Sequence, residues 1–311
     1  TGYSIKIAGT IKETHLKELS DRIEMTLLEV NRQMSTWDPE SEISKFNHSR
    51  SLKEFPCSEA FSTVVKSALE LSRTTGGAFD PTLQPLLNLW GFGSEAEDRK
   101  VPSDEAVALT KQMTGWEKVT VESPSGLRKK EPGISLALGA IAKGYGVDAV
   151  GQVLKEAGLE NWFVEIGGEV LAQGVNGENV PWRIGIQFPT TNPMDMTIQG
   201  ITHVTNGAIA TSGDYRIYIE ENDSVYSHIL DPRSGRTVKS NTASVTVKAP
   251  TCMEADGIAT ALFVMGAEEG LPWVEKRDDV EAFFMSRTDN GEIIEIFSSG
   301  FKEATGYTAA L

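Results

Sequence analysis

The stretch from residue 135 to residue 187 constrains the fold most, because it divides into segments with different hydrophobic periods. A helical pattern runs from about Ile141 to Ala157 and ends at Gly158, a residue type that favours helix C-termini. Apolar patterns typical of strands follow at Trp162–Ile166 and Trp182–Gln187. The segment therefore predicts a helix combined with a sheet rather than an all-helical protein.

The rest of the chain continues this mixture without an internal repeat or a linker, which predicts a single domain over residues 1–311. Residues 35–47 are polar and predict a turn-rich connection. Further helices are predicted over 16–34, from the N-cap Ser58 to Leu71, after Ser103 and over 253–265, with strands over 3–7 and 243–248. The expected class is α+β or mixed α/β, with several antiparallel strands.

Composition restricts the classes of partner. The 311 residues include 29 Lys and Arg against 44 Asp and Glu, so the net charge is −15. A nucleic acid partner is not expected, because phosphate binding requires a basic face. An anionic ligand would need local devices such as a metal ion, a helix N-terminus or a placed lysine. Cys57 and Cys252 favour two thiols over a disulfide, although both readings stay open.

Asp256 and Thr260 form the first candidate site, because a spacing of four puts their oxygens on one face of the predicted helix. Mg²⁺ prefers oxygen ligands, usually one or two from the protein. From spacing alone, the alternative is that Asp256 stabilises a helix N-terminus while Thr260 packs.

A second candidate is the glycine turn at Gly139, which opens a helix carrying Lys143 in its first turn. Such a turn can bind an anion, but it can equally serve close helix packing. His228 precedes Asp231 by three residues and is a plausible general base, with a core or surface histidine as the alternative.

Seen together, the motifs resemble the ApbE-type FAD:protein FMN transferases over nearly the whole chain. They occur in the order seen in that family: STWDPESEISKFN (35–47), GGAFDPT (76–82), PLLNLWGFG (85–93), GAIAKGYGVD (139–148), EIGGEV (165–170), ATSGDY (210–215), SHILDPRSGR (227–236) and SVTVKAPTCMEADGIATAL (244–262). The resemblance implies a T-fold-like α+β architecture with mixed or antiparallel sheets and packed helices.

The resemblance also implies roles for individual residues. His228 would be the base, with Asp231 as the second catalytic residue. Mg²⁺ would be held by Asp256, Thr260 and the carbonyl of Ala140, and FAD would be bound by Trp37, Ala78, Phe79, Asp80, Lys143, Thr211, Ser212, Gly213 and Leu230. The family usually has an aspartate where this chain has Ala137.

The implied reaction is the Mg²⁺-dependent transfer of FMN from FAD to a Thr or Ser hydroxyl of a partner protein, with release of AMP. The alternatives are an FAD pyrophosphatase that gives FMN and AMP, and a non-catalytic FAD-binding protein. The implied partners are flavin-carrying subunits of membrane redox-driven ion pumps. The implied location is the periplasmic face of the cytoplasmic membrane, with the full-length form anchored by a lipid. An N-terminal export or lipoprotein segment is expected to be absent from the sequence given.

Overall fold

The computed structural model describes residues 2–96, 99–190, 192, 195–214, 218–221 and 224–310. Its helices are α1 (Glu13–Met34), α2 (Glu42–His48), α3 (Glu59–Thr74), α4 (Gln84–Trp90), α5 (Asp104–Lys111), α6 (Ala142–Glu156), α7 (Cys252–Val274) and α8 (Phe301–Thr305). A short 3₁₀ turn covers Trp116–Lys118. None of the helices in these ranges combines the length and the apolar character needed to cross a membrane.

The strands are short and numerous. They are β1 (Tyr3–Ile7), β2 (Phe55–Pro56), β3 (Val119–Ser123), β4 (Gly126–Lys129), β5 (Trp162–Ile166), β6 (Glu169–Gln173), β7 (Trp182–Gln187), β8 (Ile198–Val204), β9 (Asn206–Gly213), β10 (Tyr218–Glu221), β11 (Ser224–Ser227), β12 (Leu230–Asp231), β13 (Arg236–Thr237), β14 (Thr242–Ala249), β15 (Glu281–Arg287), β16 (Ile293–Phe297) and β17 (Thr308–Ala309). Every strand pair described is antiparallel, which confirms the α+β class.

The chain forms two compact units, and each is assembled from separate stretches of sequence. The first unit comprises residues 1–28, 143–216 and 240–311, and the second comprises 29–142 and 217–239. Because the stretches alternate along the chain, no single cut in the sequence separates the units. The single ApbE-type domain expected over residues 1–311 stays a prediction.

A seven-stranded antiparallel sheet forms the centre of the first unit, with the order β1-β5-β6-β9-β14-β15-β16. The long helix α7 packs on β9 and β14, and eleven of its residues from Cys252 to Gly266 are buried. Gly266 interrupts the helix with a φ of 70°, which only glycine adopts without strain. A second sheet, β17-β8-β7, completes the unit.

The second unit combines helices α2 to α5 with the small sheet β2-β4-β3 and two hairpins, β10-β11 and β12-β13. Trp90 is buried against Tyr226, and its indole N–H donates to the Gly235 carbonyl at 3.1 Å. The same cluster buries Leu86 and Leu230. This packing holds the β12-β13 hairpin close to α4.

The structure confirms the predicted helices that begin at a capping serine. Helix α3 begins after Ser58, whose hydroxyl accepts a hydrogen bond from Phe61 N, and α5 begins after Ser103 in the same way. The prediction of a loop over residues 35–47 was wrong in part, because Ser41 caps a further helix, α2. Cys57 and Cys252 are both free thiols, which confirms the favoured reading.

Candidate functional site

The first turns of α7 carry Asp256 and Thr260 on one face, as their spacing predicts. Asp256 is 3% exposed, whereas Thr260 is half-buried. The Thr260 hydroxyl lies 3.0 Å from the hydroxyl of Ser212 at the end of β9. On the same strand, the hydroxyl of Thr211 lies 2.9 Å from that of Thr246. Because successive residues of a strand point to opposite faces of the sheet, Ser212 presents its hydroxyl to the helix that carries Asp256, whereas Thr211 and Thr246 lie on the other face.

Lys143 and two buried carboxylates form a charge cluster within the first unit. The Lys143 ammonium lies 3.1 Å from Asp256 Oδ1 and 3.0 Å from Glu169 Oε1. The second oxygen of Asp256 accepts a hydrogen bond of 2.9 Å from the backbone N–H of Gly144. Burial acts to lower the pKa of Lys143, but the two carboxylates outweigh it and raise this pKa above its ordinary value. Lys143 therefore stays a cation.

Glu169, at the start of β6, is the carboxylate of the cluster that can still accept a hydrogen bond or bind a cation. It is 4% exposed, and its Oε2 atom has no hydrogen-bond partner among the residues that the structure describes. Burial and then the charge of Asp256 raise the pKa of Glu169 to about 7, although Lys143 acts in the opposite direction. Two carboxylates facing one ammonium leave an excess of negative charge, which favours a further cation.

The donor set of this cluster fits Mg²⁺. The ion takes hard oxygen ligands and usually binds one or two protein carboxylates, with waters and phosphate oxygens completing its shell. Asp256 supplies a carboxylate and Thr260 a hydroxyl, and the orphaned oxygen of Glu169 adds to the local negative potential. The described ranges contain no group of three or more His, Cys, Asp or Glu residues suited to a metal. Magnesium therefore stays a proposal based on oxygen chemistry.

In the second unit, His228 lies between β11 and β12. Its ring is half-buried and meets Phe92 edge to face, with 6.4 Å between the ring centroids. Asp231 Oδ1 accepts hydrogen bonds from the backbone N–H of Arg233 at 2.9 Å and from its Nε at 3.0 Å. Arg233 thus orients the Asp231 carboxylate within the hairpin. The catalytic roles of His228 and Asp231 stay predictions.

The predicted FAD-binding residues of the second unit differ in exposure. The Trp37 side chain is open, since the residue is 74% exposed, and an exposed indole ring can stack on a planar ligand. Ala78, Phe79 and Leu230 are buried, at 1%, 3% and 3% exposure. A direct contact with FAD at these three positions would therefore involve mainly the backbone.

Asp80 shapes the GGAFDPT turn. Its Oδ1 accepts hydrogen bonds from the Thr82 N–H at 2.7 Å and the Thr82 hydroxyl at 2.6 Å, and its Oδ2 accepts one from Trp116 N at 3.1 Å. Burial raises the pKa of Asp80, against the effect of these hydrogen bonds. The carboxylate is thus engaged within the protein, and its predicted role toward FAD stays a prediction.

The Ala140 turn precedes α6 as predicted. The carbonyl of Leu138 accepts from the backbone N–H of Ile141 at 3.0 Å and of Ala142 at 2.8 Å. These bonds close a tight turn in which Gly139 is exposed. Three residues before Ala140, the backbone N–H of Ala137 donates to the Pro81 carbonyl at 2.7 Å, which ties this segment to the GGAFDPT turn.

Sequence reasoning assigned no role to Glu169 or to Asp148, although both lie in the motifs EIGGEV and GAIAKGYGVD. Glu169 contacts Lys143, and Asp148 accepts hydrogen bonds from two backbone N–H groups at the start of α7. Neither contact can be predicted from the spacing of residues, because the partners are far apart in the chain. A carboxylate placed directly after the Gly167-Gly168 turn was the available hint for Glu169.

Comparisons with known proteins agree with one another. Residues 1–284 match the ApbE family. The FAD:protein FMN transferase of Vibrio cholerae is 43% identical over 302 residues, which cover 97% of this chain and 89% of that protein. The protein of the same name from Haemophilus influenzae is 39% identical over 303 residues, covering 96% and 85%.

Solved structures extend the agreement to the fold. The flavin transferase ApbE from Vibrio cholerae superposes with a TM-score of 0.87 at 42% identity, covering 97% of this chain and 94% of that one. The flavinyl transferase ApbE of Pseudomonas stutzeri, in its apo form, gives a TM-score of 0.86 at 34% identity, covering 98% and 93%. With sequence and fold matched over nearly its whole length, this chain belongs to the ApbE family.

Proposed function

We propose that this chain is an FAD:protein FMN transferase that uses Mg²⁺ to move FMN from FAD to a Thr or Ser hydroxyl of an acceptor protein, releasing AMP. The relatives from Vibrio cholerae and Haemophilus influenzae carry the name FAD:protein FMN transferase. The observation that carries the proposal is the cluster of Lys143, Asp256 and Glu169, which combines a fixed ammonium with carboxylate oxygens.

The cluster suits a pyrophosphate ligand once it holds a further cation, because its two carboxylates outnumber the single ammonium of Lys143. Asp256 and Thr260 would hold Mg²⁺, and the carbonyl of Ala140 stays the predicted third protein ligand. When bound, the ion would neutralise negative charge on the phosphates of FAD. Lys143 supplies a second cation, whose position is set by Asp256 and Glu169.

His228 is the proposed base. Imidazole is the side chain most often used to accept a proton in such a step. The acceptor hydroxyl gives its proton to His228, and its oxygen forms a bond to the phosphorus of the FMN half. The phosphoanhydride bond to AMP breaks, and AMP leaves with the bonding electron pair.

The predicted FAD-binding residues offer different kinds of group to the ligand. Trp37 offers an exposed aromatic face, while Thr211, Ser212 and Gly213 offer hydroxyl and backbone groups at the end of β9. The proposed acceptors are flavin-carrying subunits of membrane redox-driven ion pumps, and the proposed location is the periplasmic face of the cytoplasmic membrane. Both proposals rest on the resemblance.

Intact-mass measurement of an acceptor tests the reaction. An acceptor with an Asp-x-x-Ser/Thr-Gly-Ala-Thr-like segment is incubated with the protein, FAD and Mg²⁺. We expect the acceptor to gain one FMN residue, the solution to gain AMP, and EDTA to prevent both. An unmodified acceptor with FMN and AMP in solution would instead identify a pyrophosphatase, and intact FAD would contradict an enzymatic role with this acceptor.

Two variants separate the proposed roles in the same assay. Asp256→Asn keeps the shape of the side chain but removes its charge, so we expect no transfer at any Mg²⁺ concentration tested. His228→Ala should lower the turnover rate by about 100-fold or more while changing the KM for FAD much less, because a base acts only in the chemical step. Full activity in either variant would refute the corresponding role.

A further inference from the structure

Asp148, on helix α6, caps the N-terminus of α7. The Oδ1 atom of Asp148 accepts a hydrogen bond of 2.8 Å from Cys252 N, and its Oδ2 atom accepts one of 2.9 Å from Met253 N. These are the first two backbone N–H groups of α7, which have no partner within their own helix. Both carboxylate oxygens of Asp148 are thus committed to one turn of a different helix.

Gly144 brings the two backbones into direct contact at the same turn. It lies four residues before Asp148 and therefore on the same face of α6. A Cβ atom at Gly144 would lie 2.2 Å from the Cys252 carbonyl oxygen and 2.8 Å from Met253 Cα. Backbone atoms cannot move aside as a flexible side chain would. The position of the first turn of α7 is therefore set by its contact with Gly144 and by its hydrogen bonds to Asp148.

The same stretch of α6 also determines the orientation of the Asp256 carboxylate. Gly144 N donates to Asp256 Oδ2 at 2.9 Å, and the Lys143 ammonium contacts Oδ1 at 3.1 Å. These bonds require the first turns of α7 to hold one fixed distance from α6. Any shift of the turn at Cys252 would move Asp256, one helical turn further on, relative to both donors.

Asp148 adds to a cap that α7 already has within its own chain segment, because Thr251 binds a different backbone N–H group, that of Glu254. The hydroxyl of Thr251 accepts from Glu254 N at 3.3 Å, and the Thr251 carbonyl accepts from Ala255 N at 3.1 Å. Burial raises the pKa of Asp148 to about 6, against the effect of its two amide hydrogen bonds. Holding the charged form near neutral pH therefore costs free energy in the folded protein.

We propose that Asp148 is a positioning residue, which fixes the first turn of α7 against α6 and thereby sets the Asp256 carboxylate where it can serve as a magnesium ligand. Its contribution is made through Cys252 and Met253, without contact with substrate. The inference rests on the proposed function, since it assigns Asp256 the role given there.

Asp148→Asn is the test variant, and Thr251→Ala is its matched control. Each removes hydrogen bonding at the same helix end, where losing a cap costs about 1 kcal/mol. The thermal unfolding midpoint is measured with saturating FAD over a series of MgCl₂ concentrations, and the transfer rate is measured over the same series. We expect Asp148→Asn to raise the half-saturating Mg²⁺ concentration about tenfold, and Thr251→Ala to raise it by less than about threefold.

Equal shifts in the two variants, or no shift in Asp148→Asn, would overturn the positioning role. If the wild-type protein shows no response to Mg²⁺ in either measurement, the proposed function fails as well, so the two failures are distinguishable. Should Asp148→Asn not fold, Asp148→Glu carries the same test, because it keeps the charge but displaces it by one methylene group. A wild-type Mg²⁺ response in Asp148→Glu would then overturn the inference.

Discussion

Glu169 shows how a single buried residue couples charge to stability. Its pKa is raised to about 7, so between pH 4.5, the ordinary value, and pH 7 the folded chain holds more protons than the unfolded chain. The wild-type protein therefore loses stability through this group as the pH rises over that range. Glu169→Gln has no such group, so its stability relative to wild type should increase from pH 5 to pH 8, by on the order of 1–2 kcal/mol.

Urea unfolding at several pH values measures this difference. Glu178→Gln, the loss of a charge at an exposed position, controls for the general effect of removing one negative charge. A difference between Glu169→Gln and wild type that does not vary with pH would contradict the raised pKa.

At the scale of elements, α2 depends on a lysine from a distant strand. Lys129, on β4, is 2% exposed and donates to the carbonyls of Asn47 at 3.1 Å and Ser49 at 2.8 Å, at the C-terminal end of the helix. Its ammonium also lies 4.7 Å from the Phe46 ring centroid. Lys129→Met removes both hydrogen bonds, so we expect the free energy of unfolding to fall by about 2 kcal/mol.

Chemical denaturation of Lys129→Met and Lys130→Met checks this expectation. Lys130 is the exposed neighbour on the same chain segment, and its replacement should change stability by less than about 0.5 kcal/mol. Similar losses in both variants would show that the carbonyl contacts of Lys129 contribute little.

At the scale of the whole molecule, the net charge of −15 makes the folded state repel itself. Raising NaCl from about 20 to 300 mM at pH 8 should screen this repulsion and raise the thermal unfolding midpoint by roughly 3–6 °C. At pH 5 the carboxylates begin to take up protons, so the salt effect should shrink. An equal effect of salt at both pH values, measured by differential scanning calorimetry, would rule out self-repulsion as its cause.

The elements with local signals follow from the sequence, because their causes lie within a few residues. Ser58 and Ser103 cap the helices that follow them, and Gly158 follows the end of α6. Helix α2 was missed although Ser41 caps it in the same way, and its C-terminal end also contacts Lys129, about eighty residues further along the chain. The strand order of the seven-stranded sheet could not be predicted from local sequence patterns either, because β9 pairs with β6 and β14 rather than with its neighbours in sequence.

Eight motifs in a set order are enough to identify the family from the sequence, and the spacing of Asp256 and Thr260 is enough to place them on one helix face. The contact of Asp256 with Lys143, 113 residues away, follows from the folded structure, as does the placement of Glu169 and Asp148 in the same region. The two kinds of interaction differ in the distance along the chain over which they act. Helix periodicity and capping act over one or two turns, whereas ion pairs and capping from another helix require the completed packing of α6, α7 and the sheet.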